Sequence, residues 1–305
     1  MTANLIALDW GTTSLRGYLM DDAGSILERR EGGLGIMKVE NGAFEAALDQ
    51  FCGDWLTAHP QVGLIASGMI GSKQGWREAP YCPCPAGAAD LATHTIRVPL
   101  AGGRHLTIVP GVSCIDAASG VPDVMRGEET QVFGALPATV SHVAVLPGTH
   151  SKWVWVEDGA IVAFASFMTG EVYAALTAHT ILGRLMKLDA PHDAAAFARG
   201  VAYGLEAPQA LLNRMFSART LGLFGQLAGE ALPSYLSGLL IGSEIGGARA
   251  MRPTDAHPLL LGSADLTARY ASAFGVAGIA VAAGPTDSAA AGMARVMQAA
   301  PRTAN

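Results

Sequence analysis

Leu5-Ile6-Ala7-Leu8-Asp9-Trp10-Gly11-Thr12-Thr13-Ser14 is an apolar run that ends in an acid and continues into a glycine turn with three hydroxyls. Residues 15–20 follow as a second apolar run, so the pattern predicts a strand, a turn and a return strand. Glycine lets a backbone come close to an anion, and the hydroxyl and N–H groups of such a turn donate to phosphate oxygens. An acid at the strand end can hold a hydrated magnesium ion near that phosphate. The stretch therefore indicates a binding site for nucleotide phosphates, with an ordinary polar hairpin as the alternative.

Length and composition limit the classes of protein that fit. The chain has 305 residues, half of them hydrophobic, which favours a compact α/β protein with two domains over a disordered chain. Its net charge of −6 comes without a basic block, so nucleic acid is not an expected partner. No secretory leader or bilayer-length apolar run is evident, and four cysteines in such a chain favour the reducing cytoplasm, without membrane association.

The opening pattern returns about half a chain later. Residues 142–146 are an apolar run, Pro147-Gly148-Thr149-His150-Ser151-Lys152 is a second Gly-Thr turn, and residues 153–156 predict a return strand. An acidic turn with glycine and a third strand follow both copies. We interpret the repetition as a structural duplication with diverged sequence, in which two similar domains place two phosphate grips on either side of one cleft.

Hydrophobic periodicity predicts the elements between these turns. Residues 44–59 have one apolar helical face, and residues 63–68 are an apolar run typical of a buried strand. Further helices are expected over residues 123–136, most of 170–249 and 287–298, and further strands over 106–109, 259–261 and 279–281.

Two Gly-Thr hairpins in tandem domains resemble the pattern of the sugar kinase/actin superfamily. Residues 9–13 and 146–152 are similar to its two phosphate motifs, and Leu260-Leu261-Gly262-Ser263-Ala264 resembles its adenosine motif, with Gly262-Ser263 where two glycines are usual. The resemblance implies an α/β fold of two duplicated RNase H-like, actin-like ATPase domains around an interdomain cleft. Residues 1–137 would then bind a sugar acid, and residues 138–305 a nucleotide.

Within that superfamily, nearly all of residues 6–295 are similar to the 2-dehydro-3-deoxygalactonokinase family. The segments that carry this resemblance are Ser67-Gly68-Met69-Ile70-Gly71-Ser72, Gly75-Trp76, Pro110-Gly111, Arg126-Gly127-Glu128-Glu129-Thr130-Gln131, Pro147-Gly148-Thr149-His150-Ser151-Lys152 and Phe167-Met168-Thr169-Gly170-Glu171. The implied activity is that of an ATP-dependent carbohydrate kinase, which moves the γ-phosphate of ATP to the 6-hydroxyl of 2-dehydro-3-deoxy-D-galactonate in galactonate or galactose catabolism. ATP and Mg²⁺ are the implied cofactors.

Phosphoryl transfer depends mainly on positioning and charge neutralisation, so the expected site consists of phosphate donors, a metal and a base. Asp9 is expected to orient Mg²⁺ through a water molecule, and the alternative is that it only caps its turn. The residues expected to contact ATP are Gly11, Thr12, Thr13, Gly148, Thr149, His150, Gly262 and Ser263.

Related sugar kinases carry the catalytic base in a Gly-Asp-Gln-Gln stretch at a helix start, shortly before the second phosphate hairpin. The matching stretch here is Gly127-Glu128-Glu129-Thr130-Gln131. Alignment on the glycine selects Glu128, whereas a shift of one residue selects Glu129. Adjacent helical side chains point in different directions, so we expect one acid to face the cleft and favour Glu128. The alternative is that the acids only stabilise the positive helix N-terminus.

A sugar acid needs cations or helix N–H groups for its carboxylate and polar groups for its hydroxyls. The residues that match the sugar-binding region of related kinases are Ser67, Gly68, Met69 and Trp76, and Arg77 and Arg126 lie near these motifs as candidates for the carboxylate. Glu171 follows Thr169-Gly170 and is a candidate for a substrate hydroxyl, with a helix cap as the alternative. Trp76 is expected to cover one face of the carbon chain, with core packing as the alternative. Lys152 is expected to be solvated, with a phosphate contact as the alternative.

Two other functions stay open on the sequence alone. The chain could be a kinase for another sugar or sugar acid, because substrate choice depends on loop details. It could also be a sensor that binds a sugar acid or nucleotide without catalysis. The acids at Asp9 and Glu128 favour catalysis, and no basic helix-turn-helix precedes Asp9. An apolar helix face suits either the core or a homodimer interface, so the oligomeric state stays open.

Overall fold

A computed structural model describes residues 3–116, 119–253 and 256–300 as an α/β protein. Its strands are β1 (Ala3–Trp10), β2 (Leu15–Asp21), β3 (Ile26–Gly32), β4 (Gly63–Ser67), β5 (Cys82–Pro83), β6 (Ile96–Pro99), β7 (His105–Ile108), β8 (Val112–Ile115), β9 (Pro122–Met125), β10 (His142–Leu146), β11 (Ser151–Glu157), β12 (Ala160–Phe167), β13 (Leu259–Leu260) and β14 (Ala282–Ala283). Its α-helices are α1 (Phe44–Ala58), α2 (Ala88–Thr93), α3 (Glu128–Ala135), α4 (Thr169–His179), α5 (Ala194–Glu206), α6 (Leu211–Arg214), α7 (Ser217–Leu223), α8 (Leu232–Met251), α9 (Ala264–Val276) and α10 (Ser288–Ala299).

Two sheets repeat the same strand order. The first runs β3-β2-β1-β4-β7-β6, and the second runs β12-β11-β10-β13-β14. In the first sheet β1 is antiparallel to β2 and parallel to β4, and in the second β10 is parallel to β13. If the strands of each sheet are counted in sequence order, the first strand therefore lies between the second and the fourth in both sheets. This shared order confirms the duplication that the two Gly-Thr turns predict.

The core of the first sheet explains why β1 is its central strand. Ile6, Leu8 and Trp10 are fully buried in one cluster with side chains of α1. The apolar face of α1 supplies Phe51 and Trp55 to that cluster, as its helical spacing predicts. Burying these side chains removes apolar surface from water, which is the main driving force for packing α1 on the sheet. The end of β1, where Asp9 lies, is thereby held in a fixed position.

The chain divides into two compact units by its internal contacts. The first unit comprises Met1–Ser141, Trp155–Phe164 and Pro285–Asn305, and the second comprises His142–Val154 and Ala165–Gly284. The last helix, α10, thus belongs with the first unit by contacts, whereas the sequence assigned residues 138–305 to one domain. The assignment of a sugar-acid domain and a nucleotide domain stays a prediction.

The predicted helix over residues 123–136 is wrong at its start. Residues 122–125 form β9, which is antiparallel to β8, and α3 begins only at Glu128. Gly127 has a φ of 108°, a left-handed backbone that interrupts any helix between them. The strand predicted at residues 279–281 is also displaced. The observed strand is β14 (Ala282–Ala283), and its Ala282 pairs with Leu259 of β13.

Helix α10 supports the end of α3 within the first unit. The guanidinium of Arg295 donates to the carbonyl oxygens of Phe133 and Leu136, the latter at 2.5 Å. These carbonyls belong to the last turn of α3 and the residue after it, which have no partners inside the helix. The charge of Arg295 also complements the negative end of the α3 dipole. In the part of the chain that the structure describes, no helix is long and apolar enough to cross a membrane.

Candidate active site

The first Gly-Thr turn is fixed through its carbonyl oxygens. The main-chain N–H groups of Gly35, Ile36 and Met37 donate to the carbonyls of Thr13, Gly11 and Thr12 at 3.3, 3.0 and 3.2 Å. The side chains of Thr12 and Thr13 are exposed. The carbonyl oxygens of the turn are therefore engaged in hydrogen bonds, while the hydroxyls of Thr12 and Thr13 stay available to donate to an anion.

Asp9 lies at the end of β1, directly opposite Arg16 of β2. The Arg16 Nη1 atom is 3.5 Å from Asp9 Oδ2, and the Asp9 side chain retains 19% of its surface exposure. Burial raises the pKa of Asp9, and the charge of Arg16 opposes that rise. The sequence interpretation missed Arg16, although its place opposite Asp9 follows from the turn between two paired strands.

Gly68 brings Asp9 close to the start of α3. Its φ of 92° favours glycine, and a Cβ there would lie 2.9 Å from the Trp10 carbonyl oxygen and 3.4 Å from Asp9 Oδ1. A Cβ on Gly127 would in turn lie 3.2 Å from the Gly68 Cα. The first unit therefore places Asp9, Gly68 and Gly127 in one neighbourhood.

The two acids that open α3 have different environments. Glu129 is fully buried, and its Oε2 accepts from the Gly127 N–H at 2.7 Å. Its burial, together with the charge of Glu128, raises the pKa of Glu129 to about 8. Glu128 is only half-buried, and its Oε2 accepts from the Arg126 N–H at 2.9 Å. Of the two carboxylates, that of Glu128 is the accessible one.

The remaining predicted sugar contacts of the first unit differ in accessibility. Ser67 is buried, and its hydroxyl lies 3.2 Å from that of Thr130 in α3. Trp76 is half-buried and stacks on Phe44 with ring centroids 5.8 Å apart. Met69 is also half-buried, whereas Arg77 is exposed. Trp76 thus packs on the core while keeping part of its surface accessible.

Arg126 is held by a carbonyl and an aromatic ring. Its Nη2 donates to the Ala79 carbonyl at 2.8 Å, and its guanidinium lies 4.4 Å above the centre of the Tyr81 ring. Stacking on an aromatic face is favourable for a guanidinium. Arg126 therefore contributes fixed positive charge immediately before Gly127 and the acids of α3.

The second Gly-Thr turn is held by the start of α4. The Glu171 N–H donates to the Thr149 carbonyl at 3.0 Å, and a Cβ on Gly170 would lie 2.5 Å from the Gly148 carbonyl oxygen. Thr149 and His150 are exposed, and His150 Nε2 lies 2.5 Å from Glu171 Oε2. The second unit therefore brings His150 and Glu171 together, although the sequence assigned them to different ligands.

Three further residues that the sequence singled out lie in the second unit: Gly262, Ser263 and Lys152. Gly262 has a φ of 146°, and it and Ser263 are exposed at the start of α9. Lys152 is buried, and its Nζ donates to Ser166 Oγ at 2.5 Å. The expectation that Lys152 is solvated is wrong, because Ser166 of β12 offers its ammonium group an acceptor.

Comparison with known proteins decides the family. A family model described as 2-keto-3-deoxy-galactonokinase matches residues 9–296. The 2-dehydro-3-deoxygalactonokinase of Escherichia coli K12 is 36% identical over 292 residues, covering 95% of each chain. The chain belongs to the 2-keto-3-deoxy-galactonokinase family. This confirms the resemblance that the motifs of both Gly-Thr turns carry.

Solved structures extend the family comparison to the fold. A crystal structure of a Sinorhizobium meliloti protein, provisionally named 2-dehydro-3-deoxygalactonokinase, matches with a TM-score of 0.87 at 36% identity, covering 97% of this chain and 98% of that one. Component A of (R)-2-hydroxyglutaryl-CoA dehydratase from Acidaminococcus fermentans matches with a TM-score of 0.53 at 10% identity, covering 97% and 98%. The second likeness concerns the fold alone. With the repeated strand order, it confirms the actin-like ATPase fold for this family member.

Proposed function

We propose that this member of the 2-keto-3-deoxy-galactonokinase family transfers the γ-phosphate of ATP to the 6-hydroxyl of 2-dehydro-3-deoxy-D-galactonate. The observation that carries the proposal is the family match over residues 9–296, which spans both Gly-Thr turns and the acids of α3. The named activity of the Escherichia coli relative, alike over 95% of both chains, supports the same reaction. The reaction would serve galactonate or galactose catabolism.

We assign proton removal from the attacking hydroxyl to Glu128. A general base must reach the substrate, and the half-buried Glu128 carboxylate meets that need whereas the enclosed Glu129 does not. The raised pKa of Glu129 keeps it largely protonated near neutral pH, so it supports the helix start as a neutral group. Its bond to the Gly127 N–H holds the backbone from which Glu128 projects.

We assign magnesium to Asp9, through water. The residues fit a hydrated ion, because Asp9 is a partly exposed carboxylate whose Oδ1 side adjoins Gly68, a position with no side chain. A bound magnesium ion would neutralise charge on the transferred phosphoryl group. The charge of Arg16 opposes the rise in the pKa of Asp9 that burial causes, and so favours the charged carboxylate.

We assign ATP to the two turns and the adenosine motif. Gly11, Thr12 and Thr13 contribute donors from the first unit, while Gly148, Thr149 and His150 contribute them from the second. Exposure of the hydroxyls of Thr12, Thr13 and Thr149 supports this role. Gly262 and Ser263 are exposed at the start of α9, as an adenosine contact requires.

We assign the sugar acid to Gly68, Met69, Trp76, Arg77 and Arg126 in the first unit. Trp76 is held by Phe44 and keeps an accessible portion that suits a carbon chain. Arg126 and Arg77 supply the positive charge that a carboxylate needs. The buried Ser67 shares a hydrogen bond with Thr130 through its hydroxyl, and Glu171 stays a proposed hydroxyl contact beside His150.

The test is a coupled assay of ADP release over a panel of sugar acids, sugars and polyols with ATP and Mg²⁺. We expect turnover with 2-dehydro-3-deoxy-D-galactonate and much weaker turnover with its gluconate epimer and with neutral sugars. Preferred turnover of another compound would identify a kinase for that compound. Calorimetric binding of the sugar acid or nucleotide without ADP release would instead identify a sensor.

A further inference from the structure

A buried carboxylate joins four elements of the second unit. Glu244 of α8 is 3% exposed, and each of its oxygens accepts two side-chain hydrogen bonds. Oε1 accepts from Ser151 Oγ at 2.7 Å and Trp153 Nε1 at 2.9 Å. Oε2 accepts from Thr169 Oγ1 at 2.5 Å and the Tyr270 hydroxyl at 2.7 Å.

A carboxylate suits these four donors, because each of its oxygens accepts from two of them. A charged acid removed from water is costly unless it is fully hydrogen-bonded, and Glu244 meets that condition with donors alone. A glutamine has one acceptor oxygen and one NH₂ group, and Trp153 Nε1 can only donate. The NH₂ group of the glutamine could therefore bond Thr169 and Tyr270 only if both hydroxyls turned from donors into acceptors. The hydrogen bonds in the structure therefore match glutamate at residue 244 better than glutamine.

Two of these donors lie next to the second Gly-Thr turn. Ser151 directly follows His150 of that turn. Thr169 opens α4, and the next residues of α4 contact the turn through Gly170 beside Gly148 and through the Glu171 N–H. Glu244 is thus bonded to the strand that leaves the turn and to the helix that packs against it.

We propose that Glu244 is a positioning residue that holds the second Gly-Thr turn in the geometry that binds nucleotide phosphates. Glu244 acts through Ser151 and Thr169 and does not itself contact the nucleotide. The proposal rests on the proposed function in assigning phosphate to this turn. It predicts a loss that is specific to the nucleotide, since the sugar-acid residues other than Glu171 belong to the first unit.

The test compares Glu244→Gln with the wild-type chain. We expect the variant to weaken ATP binding, measured by calorimetry, by about tenfold and to raise KM for ATP similarly, because a displaced turn loses its aligned donors. KM for the sugar acid should stay within about twofold, because most of the proposed sugar-acid residues belong to the first unit. A general loss of stability would lower the active fraction and leave both KM values unchanged, so it would not produce this difference. An ATP affinity equal to that of the wild type would overturn the proposal.

Tyr235→Phe is the matched control. Tyr235 is a buried residue of α8 whose hydroxyl lies 2.7 Å from Ser217 Oγ. Its substitution removes one partly buried hydrogen bond from the same helix, at residues that are not part of the Glu244 cluster. We expect a lowered Tm with unchanged ATP affinity. An equal loss of ATP affinity in both variants at equal Tm shifts would also overturn the proposal.

Two milder variants decide the matter if Glu244→Gln does not fold. Ser151→Ala and Thr169→Val each remove one donor to Glu244, and each should weaken ATP binding by about threefold or more. Unchanged ATP affinity in both would overturn the proposal. A wild-type chain that binds ATP but phosphorylates nothing refutes the proposed function alone, because the calorimetric comparison still decides the role of Glu244. A wild-type chain that binds no ATP refutes both.

Discussion

Arg16 Nη1 lies 3.5 Å from Asp9 Oδ2, at directly paired positions of β1 and β2. Arg16 Nε also lies 3.2 Å from Glu31 Oε1 of β3, so the guanidinium spans two carboxylates. The position of Arg16 is thus set from both neighbouring strands. Its charge opposes the effect of burial on the pKa of Asp9, which makes Arg16 a regulator of the charge on the proposed magnesium residue.

Arg16→Met should move the acidic limb of the kcat/KM profile to higher pH. Asp9 must be ionised to hold hydrated magnesium, and activity is lost as the pH falls through its pKa. Loss of the nearby cation raises that pKa further, so activity should be lost at a higher pH than in the wild type. Arg16→Lys, which keeps the charge, is the control. An unshifted limb in Arg16→Met would show that Asp9 does not limit the reaction.

Asp9→Asn should lower kcat by about 10²-fold while weakening ATP binding much less. The amide keeps the shape of the side chain but loses the charge that orients hydrated magnesium. Single-turnover kinetics and calorimetry with ATP separate the two effects. Equal losses in ATP affinity and kcat would indicate that Asp9 only maintains the turn.

Glu128→Gln should lower kcat by about 10²-fold or more, because the general base is lost. Glu129→Gln should retain most of the wild-type kcat, since an amide resembles the protonated acid that burial favours at this position. The two variants are matched in chemistry and adjacent in sequence. The opposite order of activities in the ADP-release assay would reassign the base to Glu129.

Glu129 should also make stability depend on pH. Its pKa rises from 4.5 to about 8 on folding, so the folded state binds more protons than the unfolded state between these values. Stability from this residue is therefore full below about pH 4.5 and is lost as the pH rises towards 8, by at most about 1.4 kcal/mol per pH unit. Glu129→Gln removes this loss of stability with pH. The Tm of the variant minus the Tm of the wild type should therefore increase from pH 5 to pH 8. Parallel Tm curves for the two proteins would contradict the buried, protonated state.

Gly170→Ala should raise KM for ATP by about tenfold, because its methyl group would displace the Gly148 carbonyl from the second turn. Gly275→Ala in α9 is the control, since a Cβ at that position meets no atom within 4 Å. Alanine favours a helix over glycine, so this control should gain about 0.5–1 kcal/mol of stability with unchanged KM. Steady-state kinetics with varied ATP makes the comparison.

Much of the fold follows from local sequence. The apolar runs and the paired Gly-Thr turns predicted β1, β2, β10 and β11, and their repetition predicted a duplicated α/β fold. The start of α3 was wrong because periodicity alone does not report the left-handed backbone of Gly127. The sugar and nucleotide contacts assigned from motif resemblance stay predictions.

Details of the site depend on contacts between residues far apart in the chain. The sequence favoured Glu128 over Glu129 only by the alignment of a glycine, whereas the packing of α3 shows directly that Glu129 is the buried acid. Lys152 is buried because β12 brings Ser166 to it, fourteen residues away. The Glu244 cluster combines donors that lie 26 to 93 residues from the acid, so no local pattern reports it.

Arg295 of α10 secures the end of α3 from 162 residues further along the chain, so α3 is synthesised well before this partner. A ribosome releases α10 last, after every other described element has left the exit tunnel. The helix that begins with the proposed base, Glu128, therefore gains its contact with Arg295 only after more than 150 further residues have been translated. A chain truncated before Arg295 would therefore present the proposed base on a helix whose last carbonyl oxygens lack this donor.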